Sequence, residues 1–350
     1  MADDMLQIGA APKPRRSVGL WPAWVQDLAD DGPIDVTVCV ANWNCRELLR
    51  GCLESLHDQP QGVRMETVVV DNASTDGAAD IVAREFPEVV LIRNAENAGF
   101  SRASNQAAAA ARGRYLFFLN NDTVVPAGTL RRLVGYADAH PEVGMIGPRL
   151  RDGRGRPQIS YRRRPTVAAL LHGTALLRWT GLFRKASRRY RRADFNPLER
   201  RQVDVLAGAA VFMPRDAFAT AGGWDEGFTF GGEDIDLCRR VGRDRAIVYL
   251  PDVEVTHLGR VSSRENIAFA DAHLPAGHAR LLRNAGTPPA VLWAYKLLVT
   301  CDAPVAIAAK WWQYFWRRLG GRRTKATRSR LAARGAWAFL SRGLGQFWRA

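Results

Sequence analysis

Residues 34–74 read IDVTVCVANWNCRELLRGCLESLHDQPQGVRMETVVVDNAS and contain two valine-rich runs separated by a segment of helix length. The runs at 34–44 and 65–74 are largely apolar, which is typical of strands buried on both faces of a parallel sheet. Residues 47–58, between them, are amphipathic. The stretch therefore predicts a parallel strand, helix, strand unit.

The alternation continues beyond this unit. We expect helices at 78–85 and 103–112 and strands at 89–94, 115–122 and 203–213, with a further strand at 246–251 leading to 253–257. This order predicts an α/β fold with an open, mostly parallel sheet flanked by helices and a Rossmann-like nucleotide-binding half. Ligands of such sheets bind at the carboxyl ends of the strands.

The predicted domain organisation follows from changes of composition along the chain. Residues 1–33 form an N-terminal extension, 34–287 the α/β domain and 288–350 a basic, aromatic, helical C-terminal region. Within the domain, 151–201 is a mobile basic insertion. Of the 350 residues 47% are hydrophobic, which excludes a disordered chain.

The net charge of +15 is concentrated in two segments. Residues 151–201 contain 15 Lys/Arg and 3 Asp/Glu, and residues 310–350 contain 11 Lys/Arg and no acid. Such segments suit an anionic partner, either nucleic acid or anionic lipid.

The aromatic residues of the C-terminal region favour lipid. A run of aromatic residues precedes Arg317 and Arg318, and apolar residues recur at helical spacing further on, a composition suited to a membrane headgroup region. The residues concerned are Trp311, Trp312, Tyr314, Phe315 and Trp316, then Trp337, Leu340, Leu344 and Phe347. The alternative is a helical hairpin that packs these aromatic side chains on the main domain.

Residues 290–309 are apolar but interrupted by Lys296, Asp302 and Pro304, which favours peripheral association over a membrane span. We expect an anionic membrane surface to bind residues 310–350. Five cysteines without CxxC spacing, and an acidic N-terminus without an apolar core, predict a cytoplasmic protein without an export signal.

Short polar residues follow the second predicted strand and suit the base and ribose of a nucleoside. They are Asp71, Asn72, Ser74 and Asp76. Ser74 and Asp76 are equally well explained as caps of the helix that begins near residue 78. Residues 94–105, NAENAGFSRASN, place Gly99 at a helix start, where backbone N–H groups and Arg102 can meet phosphate.

Asp122 follows an apolar strand together with Asn120, in a position to bind a divalent cation. Capping of a helix that begins near Pro126 is the alternative. His257 ends the sequence DVEVTH, and its imidazole can complete a metal site with Asp122.

Residues 222–237, GGWDEGFTFGGEDIDL, combine five carboxylates with five glycines. Adjacent Glu233 and Asp234 repel each other, which raises the pKa of a carboxyl and suits it to act as a general base. The alternative is a glycine turn followed by an acidic first helical turn.

With these motifs in order, the sequence resembles the family 2 glycosyltransferases of GT-A fold, particularly their bacterial rhamnosyltransferase-like branch. The resemblance spans about 37–278. It rests on VCVANWN, VVVDNASTDG, NAENAGFSRASNQA, YLFFLNNDTVV, VLAGAAVFMPRDAF, GGWDEGFTFGGEDIDLCRR and YLPDVEVTH.

The resemblance implies that Asp71 contacts the nucleobase or ribose, that Asp122 and His257 bind Mg²⁺ or Mn²⁺, and that Asp234 is the catalytic base, with Glu233 as its rival. The nucleotide-sugar site it implies comprises Asn42, Asp71, Asn72, Ser74, Asp76, Asn97, Gly99, Phe100, Arg102, Asn105, Asn120 and Asn121. Trp224, Asp225 and Gly232 would contact the acceptor. Asn120 departs from the family pattern, since many members have an acid there, and Trp224 and Gly231 also replace commoner residues.

The function expected from this resemblance is inverting transfer of a sugar from a nucleoside diphosphate to a cell-envelope or lipid-linked saccharide, at the inner face of the plasma membrane. L-rhamnose from dTDP-rhamnose is the leading candidate. UDP-linked galactofuranose, N-acetylglucosamine or another hexose is the alternative. A sugar-nucleotide pyrophosphorylase fits less well, because its glycine-rich arginine loop is missing near the N-terminus. A nucleic-acid- or membrane-binding protein without catalysis leaves the acidic motifs unexplained, and no nucleic-acid partner is expected.

Overall fold

The computed structural model describes residues 33–58, 60–192, 195–259 and 267–350. All but the last residue of the predicted extension 1–33 lies outside these ranges. The strands are β1 (Val36–Asn42), β2 (Met65–Asp71), β3 (Val90–Arg93), β4 (Tyr115–Asn120), β5 (Thr123–Val124), β6 (Val143–Arg151), β7 (Tyr161–Arg162), β8 (Arg201–Gln202), β9 (Val205–Leu206), β10 (Ala210–Pro214) and β11 (Ala246–His257).

The helices are α1 (Arg46–His57), α2 (Ala78–Glu85), α3 (Phe100–Ala110), α4 (Thr129–Ala139), α5 (Val167–Leu171), α6 (Ala175–Thr180), α7 (Arg184–Arg192), α8 (Arg215–Thr220), α9 (Glu233–Val241), α10 (Ile267–Asn284), α11 (Pro289–Leu319), α12 (Arg323–Ala338) and α13 (Leu344–Arg349). A π-helical turn, Phe339–Gly343, joins α12 to α13.

Among the described residues, nine strands form one sheet in the order β3-β2-β1-β4-β10-β6-β11-β5, with β8 beside β11. The strands β3, β2, β1 and β4 are parallel, as are β6 and β11, whereas β10 runs antiparallel to both of its neighbours. The predicted α/β class with an open, mostly parallel sheet is confirmed. Its parallel half gathers the carboxyl ends of β1, β2 and β4 at one edge.

Hydrophobic side chains fill a layer on each face of the sheet. Phe117 lies in one layer with Leu53 of α1, and the next residue of β4, Phe118, lies in the other with Trp224. Successive strand residues point to opposite faces, so a strand covered on both sides has to be apolar throughout. Strands that are covered on both faces therefore appear in the sequence as continuous apolar runs.

Two predicted strands differ in detail. The run at 203–213 divides into β9 and β10, because β9 pairs with β7 in a separate two-stranded sheet while β10 joins the main sheet. Conversely, 246–257 is one strand, with a register shift between Leu250 and Glu254 that accommodates Pro251.

The basic segment 151–201 contains regular structure, namely β7 and helices α5 to α7. Short helices of this kind leave little hydrophobic periodicity for a sequence pattern to display. Helix α6 is held to the C-terminal region by Asp302 of α11, whose carboxylate accepts the backbone N–H groups of Ala175 and Leu176 at 2.8 Å each.

The C-terminal region is helical, as predicted. It packs on α10, the last helix of the predicted α/β domain, and Gly277 of α10 lies so close to the loop before α9 that a Cβ on it would come within 2.1 Å of the carbonyl oxygen of Gly231. The aromatic ring of Phe347 is fully buried in this region, while Trp337 is exposed. Some of the apolar residues at helical spacing therefore pack inside the protein, and others are exposed to solvent.

Candidate functional site

The carboxyl ends of three neighbouring strands are joined by side-chain hydrogen bonds. Asn42 ends β1 and lies opposite Asp71, which ends β2. The Nδ2 atom of Asn42 donates to Oδ1 of Asp71 at 3.0 Å, and Asn121, after β4, donates to Oδ1 of Asn42 at 2.7 Å. All three side chains are buried. The structure thus brings together three predicted residues as one polar edge.

The residues after β2 shape the adjoining turn. The Oδ2 atom of Asp71 accepts the backbone N–H of Ser74 at 2.9 Å, and the Ser74 hydroxyl accepts the backbone N–H of Asn44 at the same distance. Asp76 accepts the N–H groups of Arg46 and Ala78, at the starts of α1 and α2. For Asp76 this contact is the capping role weighed from the sequence.

The turn before α3 lies beside this edge. Asn72 donates to the carbonyl oxygen of Gly99 at 3.3 Å, and the backbone N–H of Gly99, a residue with φ 82°, donates to Oδ1 of Asn97 at 3.0 Å. Phe100 opens the helix half-buried, and Arg102 is exposed in its first turn. The predicted turn is therefore present with an exposed guanidinium beside it, and its contact with phosphate stays a prediction.

Asn105 is engaged elsewhere. Its amide donates to the carbonyl oxygen of Trp224 and accepts the N–H of the same residue, both at 2.9 Å, and it also donates to Glu226. These bonds fix the loop after α8 to helix α3. Its predicted contact with the nucleotide sugar stays a prediction.

Asp122 and His257 meet where β5 pairs with the end of β11. The Nε2 atom of His257 lies 3.3 Å from Oδ1 of Asp122, and the carboxylate is 2% exposed. The Oδ2 atom of Asp122 is buried without a hydrogen-bond partner. Asn120, two residues before Asp122, is half-buried.

Gln158 orients the imidazole ring of His257. No sequence motif pointed to Gln158. Its Nε2 donates to the carbonyl oxygen of His257 at 2.6 Å, which directs Oε1 to the ring Nδ1, at 3.0 Å. With Nδ1 as the donor, Nε2 presents a lone pair to the Asp122 oxygen. Two electron-rich atoms at that distance need a proton or a cation between them, so the pair fits a metal ion.

The described residues contain no cluster of three or more His, Cys, Asp and Glu suited to a metal. A cation held by Asp122 and His257 would complete its shell with oxygen atoms of a bound diphosphate and water, which is the usual arrangement for Mg²⁺.

Glu233 and Asp234 begin α9 after Gly231 and Gly232, whose φ angles of 81° and 105° favour glycine. Arg162 of β7 donates from Nη2 to Oδ2 of Asp234 at 2.6 Å. The Asp234 side chain lies over Gly208, where an added Cβ would approach within 3.2 Å. Gly208 precedes Ala209, whose carbonyl oxygen accepts the N–H of Asn120 at 2.9 Å. Asp234 therefore reaches the same edge as the strand-end residues.

Glu233 is in a different environment from its neighbour. Its Oε2 atom is buried without a hydrogen-bond partner. Burial, together with the negative charge of Asp234, raises the pKa of Glu233 to about 7. The two carboxyl groups are therefore chemically distinct, since Asp234 is ion-paired with Arg162 whereas Glu233 is buried with one oxygen unpartnered.

The predicted acceptor residues lie on the loop before α9. Trp224 is 2% exposed and packs edge-on against Phe100 and Phe118. Burial raises the pKa of Asp225, but hydrogen bonds from Arg280 and Gly227 outweigh it and lower the pKa to about 2. Gly232 approaches Phe228, since a Cβ there would lie 3.1 Å from that ring.

Trp224 and Asp225 also line a cavity of about 480 Å³ with residues of α3 and α9, Asn105, Asp236 and Arg240 among them. Asp236 lies on the same helix as Asp234, and Arg239 and Arg240 bind its carboxylate at 2.9 and 2.8 Å. Asp234 is absent from the lining of this cavity, so the two predicted acceptor residues and the candidate base do not share it.

Residues 37–218, more than half of the chain, match the family model described as Glycosyl transferase family 2. The chain belongs to glycosyltransferase family 2. It is therefore a glycosyltransferase, and the noncatalytic alternative considered from its charge is wrong.

Two curated proteins illustrate what this glycosyltransferase is similar to. The N-acetylglucosaminyl-diphospho-decaprenol L-rhamnosyltransferase of Mycobacterium tuberculosis is 28% identical over 227 residues, which cover 61% of this chain and 72% of that protein. The succinoglycan biosynthesis protein ExoO of Rhizobium meliloti is 40% identical over 106 residues, 30% of each chain.

Solved structures confirm the GT-A fold. The mannosyltransferase PcManGT from Pyrobaculum calidifontis, in complex with GDP-Man and Mn²⁺, superposes with a TM-score of 0.50 and 22% identity over 89% of this chain and 88% of that one. GalNAc-T7 with UDP, GalNAc and Mn²⁺ gives a TM-score of 0.53 and 16% identity over 73% of this chain and 48% of that one.

Proposed function

We propose that this glycosyltransferase moves a sugar, with inversion, from a nucleoside diphosphate to a hydroxyl group of a lipid-linked cell-envelope saccharide at the cytoplasmic face of the plasma membrane. L-rhamnose from dTDP-rhamnose is the leading donor. The mycobacterial relative, an N-acetylglucosaminyl-diphospho-decaprenol L-rhamnosyltransferase, supports rhamnose as the sugar and a lipid-linked saccharide as the acceptor. A UDP-linked hexose is the second candidate, because sugar choice depends on the shape of the pocket rather than on these motifs.

One observation carries the proposal. The polar edge of Asn42, Asp71 and Asn121, the Asp122–His257 pair and the Asp234 carboxylate all lie along the edge of the sheet at which β1, β2, β4 and β11 end. A nucleoside on the first group would extend its diphosphate towards the second and its sugar towards the third. This order matches the order of the parts of a nucleoside-diphosphate sugar.

Asp122 and His257 would hold Mg²⁺ or Mn²⁺. The buried, unpartnered Oδ2 of Asp122 and the lone pair of His257 Nε2 fit such an ion. The Mn²⁺ in the solved structures of GT-A enzymes agrees with this choice. When bound, the cation neutralises negative charge on the departing diphosphate. Arg102, exposed beside the Gly99 turn, would add a second positive charge.

Asp234 is the proposed base. It takes the proton from an acceptor hydroxyl while that oxygen bonds to the anomeric carbon and the bond from this carbon to the diphosphate oxygen breaks. The nucleoside diphosphate leaves with the bonding pair, and the anomeric configuration inverts. Arg162 would hold the carboxylate in position through its 2.6 Å bond. Glu233, with its raised pKa, is the rival base.

The test is product formation, followed by mass spectrometry, from dTDP-rhamnose and from UDP-sugars with a lipid-linked saccharide acceptor. Asp234→Asn should lower kcat by about 10²–10⁴-fold while the Kd for the donor changes little. Asp244→Asn, in the exposed turn after α9, serves as the carboxylate control. Full turnover in Asp234→Asn, with loss in Glu233→Gln, would assign the base to Glu233. No transfer from any nucleotide sugar by the wild-type chain would contradict the proposal.

A further inference from the structure

Helix α11 presents two opposite faces over 31 residues. The inner face packs on the rest of the protein and includes Leu292, Tyr295, Asp302 and Ala303, all buried. The opposite side, which we call the outer face, carries large exposed apolar side chains at helical spacing. Its main members are Trp293, Leu297, Val305, Trp312, Trp316 and Leu319.

The outer face is more apolar than a water-exposed helix requires. Trp293 and Trp312 are 64% and 65% exposed, and none of the six main members is less than 43% exposed. At 1.5 Å per residue the helix is about 46 Å long, so these side chains form an extended apolar stripe. Contiguous apolar surface of this kind marks a binding surface for a protein or a membrane.

A second apolar group extends the stripe sideways. Helix α6 and the turn after it expose Leu176, Trp179 and Leu182, with Trp179 85% exposed. Asp302 ties the start of α6 to α11 through its two 2.8 Å hydrogen bonds, so both elements form one surface.

Basic residues flank this surface. Helix α12 packs along α11 and carries exposed Arg323, Lys325 and Arg334, and α6 itself carries Arg178. The chain from residue 310 to 350 has no acidic residue. Positive charge beside exposed tryptophans complements an anionic lipid headgroup layer.

We propose that the outer face of α11, with Leu176, Trp179 and Leu182, docks on an anionic bilayer, and that α11 lies in the plane of the headgroups. The inference deepens the proposed function, since it rests on a lipid-linked acceptor. It also extends the membrane contact expected at 310–350 to the N-terminal half of α11 and to α6, while Phe347, within 310–350, packs inward.

A membrane span is a poorer solution for the same helix. Pro289–Leu319 is, among the described residues, the one helix long and apolar enough to cross a bilayer. Its inner face, however, buries Lys296, which donates to the carbonyl oxygen of Trp348 at 2.9 Å, and Asp302. Crossing would carry these charges and the arginines of α12 into hydrocarbon, at a cost of several kcal/mol. A helix that lies in the headgroup layer leaves these charged side chains in their present contacts.

The docking surface is linked to the candidate base through a short piece of chain. Twelve residues lie between Arg162, bound to Asp234, and Ala175 at the start of α6. Helix α5, within this piece, is buried against the body through Ala169, Leu170 and Leu171. Docking through α6 and α11 would thus hold the acid pair near the headgroup layer, where a lipid-linked saccharide begins.

Vesicle flotation of the purified full-length chain tests the proposal. We expect the wild-type chain to float with phosphatidylcholine vesicles that contain phosphatidylglycerol, less with phosphatidylcholine alone and less at high salt. Trp179→Ser/Trp312→Ser/Trp316→Ser should weaken binding by about tenfold or more, because all three side chains are exposed and their loss removes interfacial anchors. Trp337→Ser on α12, 62% exposed, is the matched control and should bind like wild type.

Equal flotation of the triple variant and wild type would overturn the proposal, as would an equal loss in Trp337→Ser. Wild-type chain that resists alkaline carbonate extraction would show a span instead. A wild-type dimer by light scattering that becomes a monomer in the triple variant would place a second copy on this face. Nucleotide binding, measured in the same samples by thermal shift, separates the proposed donor from the proposed membrane docking. If the protein floats normally but binds no nucleotide, the proposed nucleotide-sugar donor is wrong and the docking proposal stands.

Discussion

Arg162 of the basic segment donates from Nη2 to Oδ2 of Asp234 at 2.6 Å, so the candidate catalytic base is ion-paired with a residue 72 positions earlier in the chain. The guanidinium also lies over the ring of Tyr190, with 5.8 Å between its central carbon and the ring centroid. Arg162 is thereby held from two sides. The basic segment 151–201 therefore contributes Arg162 to the candidate site as well as positive charge to the protein surface.

Replacement of Arg162 tests this contact. Arg162→Gln should lower kcat by about tenfold or more, because the carboxylate loses the group that fixes its direction, while the Kd for the nucleotide sugar stays within about twofold. Arg162→Lys should recover part of the rate. Arg154→Gln, in an exposed turn of the same segment, controls for the loss of one positive charge. An unchanged kcat in Arg162→Gln would remove the positioning role.

The buried carboxyl of Glu233 predicts a pH-dependent effect on stability. Its folded-state pKa of about 7 exceeds the ordinary value of 4.5, so the folded state binds the proton more tightly than the unfolded state. The contribution of Glu233 to stability is therefore fully present below about pH 4.5 and is lost as the pH rises through about 7. Relative to wild type, Glu233→Gln should gain up to about 3 kcal/mol in free energy of unfolding between pH 4 and pH 8.

Urea denaturation of both proteins across this pH range measures the difference. The comparison cancels the titration of all other groups that the substitution leaves unchanged. A difference in free energy that is constant with pH would mean that Glu233 has an ordinary pKa in the folded protein.

Gln158 should affect metal binding without touching the metal. Gln158→Leu removes the acceptor for His257 Nδ1, so the imidazole loses its fixed tautomer and orientation, and the Kd for Mn²⁺ in the presence of nucleotide should rise by about 10–100-fold. Electron paramagnetic resonance of free Mn²⁺ measures this Kd. Gln202→Leu, which changes an exposed glutamine of β8, is the control. Wild-type affinity in Gln158→Leu would exclude this orienting role.

Two glycine substitutions should change the stability of the protein in opposite directions. Gly277 of α10 is in close contact with the loop before α9, whereas Gly51 has open space around it. Gly277→Ala should destabilise the protein by about 1–3 kcal/mol, because the new Cβ meets backbone atoms of Gly231 and Phe230. Gly51→Ala, within α1 and with no atom within 4 Å of its Cβ, should stabilise it by about 0.5–1 kcal/mol. Thermal unfolding of the two variants checks the signs, and a stabilising Gly277→Ala would contradict the packing described.

Much of the sheet could be predicted from the sequence because β1, β2 and β4 are covered on both faces and therefore apolar throughout. Helix Ala78–Glu85 agrees with its predicted bounds. The division of 203–213 was hidden, since Leu206 and Ala210 are both buried but in strands of different sheets. Sequence patterns record burial and not the partner strand.

The strand-end residues of the site were visible for the same reason, since polar residues directly after apolar strands stand out. Gln158 and Arg162 were not, because each lies in an arginine-rich stretch without periodicity and acts across 99 and 72 residues of chain. The charge of the segment was evident, but nothing local distinguishes Arg162 from Arg163 and Arg164. Lys296, Asp302 and Pro304 interrupt the apolar segment 290–309, and α11 runs through all three residues, with Lys296 and Asp302 hydrogen-bonded to backbone groups of the protein body.

The most direct test of the central claim, metal-dependent binding of a nucleoside-diphosphate sugar at the strand edge, is a thermal-shift titration with dTDP, UDP and GDP, with and without Mn²⁺, in wild type and Asp122→Ala. A ligand that binds only the folded state raises the Tm, by an amount that corresponds to about 2.7 kcal/mol at one hundred times its Kd. We predict a rise with dTDP or UDP that needs Mn²⁺ and disappears in Asp122→Ala. A rise that is the same without Mn²⁺ and in Asp122→Ala, or no rise with any of the three nucleotides, would contradict the claim.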